Sequence, residues 1–269
     1  MRCVMRFPGG RAKALTLSYD DGNHADKTLI GILDRYGIKC TLNLNSGLSG
    51  TDDWRMTLPE LADLAEKGGH EIACHGLTHP FLQAMPPSAV MAEIFQDRIN
   101  LENATGKIVR GMAYPYGTFS DSVAETLKNC GIVYSRTVNS TEGFEIPSDW
   151  LRLNPTCHHD NPRLSELANN FLGADITNRP PWLFYLWGHS FEFDRNQNWN
   201  VLEEFCEAVG GRNEIWYATN IEIYDYVAAY NSLISSADGS KIYNPTATAV
   251  YVECNQKITE IKPGETVTL

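Results

Sequence analysis

Residues 14–44 read ALTLSYDDGNHADKTLIGILDRYGIKCTLNL. Ala14 to Ser18 is a short apolar run with strand composition, and the DDG that follows it is a turn. Asp26 to Tyr36 is an amphipathic helix that stops at Gly37, and Lys39 to Leu44 is the next strand. A strand, a crossing helix and a second strand make a parallel pair, so this stretch sets the fold class as α/β.

The same alternation runs outward from it. Pro59 to Lys67 is a helix with Pro in its first turn and Gly68-Gly69 at its end, and Glu71 to Cys74 is the strand it feeds. Pro87 to Asn103 is helical, Ile108 to Ala113 a strand, Asp121 to Asn129 a helix and Ile132 to Ser135 a strand. Further on, Leu151 to Leu153, Trp182 to Trp187 and Glu214 to Ala218 read as strands, with helices over Arg163 to Leu172, Val201 to Val209 and Ile221 to Leu233. About seven strands each followed by a helix, with no nucleotide fingerprint, predict a closed or nearly closed barrel with its active residues at the strand C-termini. We expect residues 1–236 to form this catalytic barrel. Residues 237–269 carry β-type alternation (Val250, Val252, Ile258, Ile261, Val267, Leu269) and are expected to dock as a short C-terminal β-hairpin, too small to hold a core alone.

Composition limits the function. The chain of 269 residues carries 22 Lys and Arg against 33 Asp and Glu, a net charge of −11, with no basic cluster to meet a phosphate backbone, so nucleic acid is not an expected partner. No apolar run approaches the roughly 18 residues that cross a bilayer, so no membrane partner is expected and the protein is read as cytoplasmic. Seven Cys without a C-x-x-C pair are expected to be reduced thiols.

Three polar clusters follow predicted strands. In Asp20-Asp21-Gly22, adjacent carboxylates can face one cavity at different depths, one binding a cation while the other handles a proton. His75 and His79 in HGLTHP have the i, i+4 spacing that, in a helical turn, brings two imidazoles to one Zn²⁺. Added to Asp21 they give two N and one O ligand with a fourth position open, the pattern of catalytic zinc. His189, at the end of FYLWGH, is placed as a general acid. Cys157-His158-His159-Asp160 is read as a polar loop lending one His to the rim, because consecutive side chains diverge and cannot close on one ion.

In this order the clusters resemble the motifs of the polysaccharide deacetylases, carbohydrate esterase family four. SYDDG is similar to that family's T-F-D-D-G, HGLTHP to its H-[ST]-x-x-H-P and AYPYG to its R-x-P-Y-G; SDW and WGH resemble its fourth and fifth motifs. The resemblance implies a distorted (β/α)7-type barrel and metal-dependent removal of N- or O-acetyl groups from an oligo- or polysaccharide. It assigns Asp20 as base, Asp21, His75 and His79 as ligands of a divalent ion (Zn²⁺, with Co²⁺, Ni²⁺ or Fe²⁺ as alternatives), His189 as acid and the Tyr116 backbone N–H as oxyanion donor. Asp149 beside Trp150 is expected to orient and charge His189. Where the family carries an Arg this chain has Ala113, and Arg136 after the next strand is the candidate replacement. Tyr185 and Trp187 stand where aliphatics precede the last His, which predicts an aromatic substrate pocket, with Trp150 and Arg136 also lining it. Two other readings stay open: an amide or cyclic-imide hydrolase on the same barrel, and a catalytically weak carbohydrate-binding protein whose β tail serves recognition or homo-oligomerisation.

Overall fold

The computed structural model describes residues 3–269. In chain order its regular elements are strands β1 (Cys3–Arg6) and β2 (Lys13–Asp20), helix α1 (Asp26–Arg35), β3 (Cys40–Leu44), α2 (Leu58–Gly68), β4 (Glu71–Cys74), α3 (Pro87–Thr105), β5 (Gly111–Ala113), α4 (Asp121–Asn129) and β6 (Tyr134–Arg136). They continue with β7 (Cys157–His158), α5 (Leu164–Gly173), β8 (Trp182–Gly188), α6 (Ser190–Asn196), α7 (Trp199–Val209), β9 (Ile215–Tyr217), α8 (Asn220–Asn231) and the tail strands β10 (Ile234–Ser235), β11 (Lys241–Tyr243), β12 (Val250–Cys254), β13 (Lys257–Ile261) and β14 (Thr266–Thr268).

Seven strands form one curled parallel sheet in the order β6-β5-β4-β3-β2-β8-β7, and β9 pairs with the first residues of β2. The ring nearly closes because the segment before β7 climbs between β6 and β8: Leu153 bridges Arg136 and the Thr156 N–H donates to the Tyr185 carbonyl. The architecture is the distorted (β/α)7-type barrel that the sequence predicts.

β2 lies at the centre and is buried along its whole length. Leu15, Leu17 and Tyr19 point outward into the core shared with α1 residues Leu29 and Leu33, while Thr16, Ser18 and Asp20 point into the barrel. The expected helices begin and end within two residues of their predicted bounds, and α6 is a helix that the sequence reading does not contain. Thr57 and Glu60 form a capping box on α2, which ends at Gly69 with φ +67°, a left-handed position that glycine takes without strain.

α8 covers the floor. Its first residues bond to groups at the N-terminal ends of the strands: the Asn220 N–H donates to Thr41 Oγ1, and the Ile221 N–H to Glu71.

Several expectations change. Pairing in β5 starts only at Gly111, since Ile108 is exposed and outside the sheet. Leu151 to Leu153 is no strand: Trp150–Arg152 is a 3₁₀ turn capped by Asp149, and only Leu153 pairs. The tail is not one hairpin. β12 and β13 join β1 in one antiparallel sheet, and β10, β11 and β14 make another, so residues 3–6 pair with the tail rather than with the barrel.

That pairing sets Cys3 opposite Cys254, and the two form a disulfide, which corrects the expectation of seven reduced thiols. An odd count excludes complete pairing, not one pair; the other five Cys are free and buried.

Candidate active site

Asp20, His75, Arg136, His158 and His189 all stand at or just beyond C-terminal strand ends, so one end of the barrel gathers them. His75 and His79 are not in a helical turn. Gly76 (φ +77°) and His79 (φ +56°) bend the chain back on itself, and this brings the two Nε2 atoms to 3.2 Å. Asp21 Oδ1 lies 3.7 Å from His75 Nε2 and 3.8 Å from His79 Nε2. Ligands 2.0–2.1 Å from one tetrahedral ion are about 3.3 Å apart, so the three atoms fit a zinc-sized cation.

The protonation pattern fits as well. His75 Nδ1 is 2.8 Å from the Ala113 carbonyl, which only accepts, so Nδ1 carries the hydrogen and Nε2 keeps its lone pair for an ion. Burial, then the neighbouring His75, pushes His79 down to about 4, which keeps the His79 ring neutral near pH 7. Asp97, fully buried, receives the His75 and Ser46 N–H groups and fixes the loop. Asp21, His79 and Tyr116 are all non-glycine residues at positive φ, a conformation worth about 1–2 kcal/mol of strain per residue, and they surround the same point.

Asp20 sits beside this set but turns both oxygens elsewhere. Oδ1 accepts from Asn43 Nδ2 at 2.8 Å, and Oδ2 accepts from the Arg136 guanidinium. His75 Nε2 and His189 Nε2 approach Oδ2 to 3.7 and 3.9 Å. Burial works against its charge, but Arg136, then His75 and His189, outweigh burial and hold the carboxyl down at about 2. Ala113 and Arg136 are register partners on β5 and β6. The arginine thus reaches Asp20 from one strand across, at the level of Ala113. With 1% exposure it positions Asp20 and does not line a substrate pocket.

His189 caps the start of α6, and the carboxylate next to it is Glu192, 3.4 Å from Nδ1. Burial lowers the charge of the ring, but Glu192 and then Asp20 outweigh it and raise its pKa. This replaces the expected Asp149, which caps the Trp150 turn, pairs with Arg152 at 2.6 Å and is spent there.

Trp150 is displaced for a related reason: it packs edge-on against Tyr224 of α8, at the floor. Tyr185 is registered with Thr16, and four residues of strand put that level about 13 Å below Asp20. Its hydroxyl accepts from Asn220 Nδ2 and it is 2% exposed, so it belongs to the barrel interior. Trp187 lies under the Arg136 guanidinium, 4.3 Å from it, and backs that side chain instead of walling an open pocket.

Tyr116 follows β5 with its ring edge-on to His79 and stacked on Phe81; both rings are half exposed at the rim. Asn43 and Glu192 were missed in the sequence. Asn43 is registered with Asp20 and the alternation of β3 signals that it faces inward, whereas α6 is too short for a periodic signal.

Residues 8–135 match the family model described as polysaccharide deacetylase. A chitooligosaccharide deacetylase of Sinorhizobium fredii is 26% identical over 155 residues, 56% of this chain and 66% of that protein. The chain spans 62% and 66% of the length of the first curated relatives it matches. Among solved structures, a putative polysaccharide deacetylase from Mycobacterium smegmatis superposes with TM-score 0.61 at 18% identity, over 85% of this chain and 94% of that one. A family 4 acetyl xylan esterase from Clostridium thermocellum, in complex with a cobalt ion, superposes with TM-score 0.54 at 15% identity, over 79% and 91%. Residues 8–135 thus carry a polysaccharide deacetylase domain by that family model, and the chain shares the fold of these two structures.

Proposed function

We propose that this protein is a metal-dependent hydrolase that removes N- or O-linked acetyl groups from a carbohydrate. The observation that carries the reading is Asp20, a buried carboxylate held ionised by Arg136 beside three convergent ligand atoms to which it does not belong. Asp21, His75 and His79 would hold a divalent ion, which would supply a water of lowered pKa and a Lewis acid for the carbonyl oxygen. Asp20 takes the proton of the attacking water, and a backbone N–H at Tyr116 donates to the developing oxyanion. His189, charged with the help of Glu192, gives its Nε2 proton to the leaving amine or alkoxide.

The rim supports a sugar substrate. Phe81 and Tyr116 present stacked rings on one side, and Trp54 meets Phe191 edge-on at 5.2 Å on another, faces against which the apolar side of a pyranose packs. Zinc suits the donor set best, and the cobalt in the Clostridium esterase makes Co²⁺ the next choice. The amide or cyclic-imide alternative rests on the missing arginine and an aromatic pocket, and Arg136 on Asp20 and the burial of Tyr185 and Trp187 weigh against it. The Cys3–Cys254 disulfide favours action in an oxidising compartment over the cytoplasm expected from the sequence.

The test is acetate release from acetylated chito- and xylo-oligosaccharides by the zinc-loaded chain and by Asp20→Asn. We expect turnover by the first only, with equal metal content in both. One zinc per chain without acetate release from any substrate would leave the carbohydrate-binding reading in its place.

A further inference from the structure

One carboxylate oxygen outside the Asp21 set gathers three imidazoles. Glu192 Oε2 lies 3.1 Å from His158 Nε2, 3.4 Å from His159 Nε2 and 3.4 Å from His189 Nδ1. Ligand atoms of His158, His189 and Glu192 fall within 4.8 Å of one another. Yet Glu192 Oε2 and His189 Nδ1, both buried, have no aligned hydrogen-bond partner, so the atoms converge on the space between them rather than on each other. The far nitrogen of His158, Nδ1, lies against the Asp160 carboxylate, which holds the ring with Nε2 turned toward Glu192. Where three imidazoles meet one carboxylate oxygen, positive charge must lie among them, carried by ring protons or by a bound ion. The convergence depends on two elements: His158 ends β7, while His189 and Glu192 open α6 three residues apart. This is how one histidine of the consecutive pair finds co-ligands that its neighbour cannot supply.

We propose that His158, His189 and Glu192 form a second site for a late first-row divalent ion, Zn²⁺ fitting best, and that filling it silences His189. Two N donors and one O donor with an open side are a zinc donor set, and Asp160 behind His158 is the carboxylate that orients a ligating imidazole. His189 faces Asp20 through Nε2 and the second site through Nδ1. An ion on Nδ1 takes the lone pair that a proton must occupy in the imidazolium. The ring then keeps one proton, on Nε2, whose loss would leave an imidazolate, and it ceases to be a useful acid. The inhibitory half of this inference rests on the deacetylase reading; the binding half does not.

The experiment is a calorimetric titration of the metal-free full chain with Zn²⁺, repeated on His158→Ala, Glu192→Gln and His79→Ala, with circular dichroism to establish folding. We expect two equivalents of unequal affinity in the wild type. His158→Ala and Glu192→Gln should each weaken the second by at least about tenfold and spare the first, and His79→Ala should do the reverse. A single equivalent in the wild type that only His79→Ala weakens, or a second one that survives both His158→Ala and Glu192→Gln, overturns the site. Excess Zn²⁺ should then depress acetate release by the wild type and not by His158→Ala; inhibition that persists in the variant overturns the silencing. Two equivalents in the titration, with no acetate release even by protein carrying one zinc, would count against the deacetylase reading while leaving the second site standing.

Discussion

Arg136 stands in register with Ala113, one strand across the sheet, and its guanidinium closes on the Asp20 carboxylate. The pair is buried, with side-chain exposures of 1% and 3%. Removing one partner therefore leaves the other charge stranded in the barrel. Arg136→Ala should cost about 3–5 kcal/mol of stability, read by denaturant titration. It should also move the acid limb of the activity profile to higher pH. The sign follows from the base being needed ionised: Arg136 holds Asp20 down at about 2, and without it a larger fraction is protonated at a given acidic pH. Restoring an arginine in the double variant Ala113→Arg/Arg136→Ala should return part of both losses. A profile that ignores Arg136→Ala would show that Asp20 is not the base.

The metal set makes a second expectation. His75→Ala or His79→Ala should lower zinc affinity at the Asp21 site by at least about a hundredfold, since each removes one of three ligands. Asp20→Asn should not. Equilibrium dialysis against a chelator measures both, and loss of metal in Asp20→Asn would mean that the carboxylates had exchanged roles.

Glu192 carries the third. It raises the pKa of His189, and the acid must be protonated to work, so activity persists up to that raised pKa and falls above it. Glu192→Gln should shift the alkaline limb to lower pH, in protein carrying one zinc so that the second cluster is empty. Asp149→Asn, which breaks only the contact with Arg152, should leave the limb where it is. The opposite pairing of results would restore Asp149 as the partner.

These cases show which parts of the site were legible in the sequence. Asp20-Asp21 and His75/His79 are each local, so a short motif at a strand end carries them, and strand alternation carried Arg136. The partner of His189 is not local in that sense. Matching SDW to a motif placed Asp149 there, but its own turn and Arg152 hold it. Glu192 sits in a seven-residue helix whose start is set by tertiary packing and has no pattern to read. Tyr185 and Trp187 are expected to wall a substrate pocket, and both are buried instead. What the sequence could not supply was depth, and Tyr185 lies too low in the barrel to meet a substrate.

The tail offers the last test. β1 pairs with β12, Cys3 is bonded to Cys254, and Arg6 is ion-paired with Glu253 in the same sheet, buried against the Ile176 and Arg179 carbonyls of the barrel. The two ends of the chain thus hold each other, across a separation of 251 residues. Closing so long a loop restricts the unfolded chain, and removing such a bond typically costs about 2–4 kcal/mol. The double variant Cys3→Ser/Cys254→Ser should therefore melt earlier than the wild type while binding the same amount of zinc, because neither strand touches the Asp21 set. Deleting residues 237–269 should do more. It would strip β1 of its partner, expose Val250's neighbours Phe7 and Tyr226 in the core beneath, and lower solubility or change the oligomeric state. A truncated chain that stays monodisperse with an unchanged melting temperature would show that the tail is not docked, and an unchanged melting temperature for the Cys variant would show that the disulfide adds nothing to that docking.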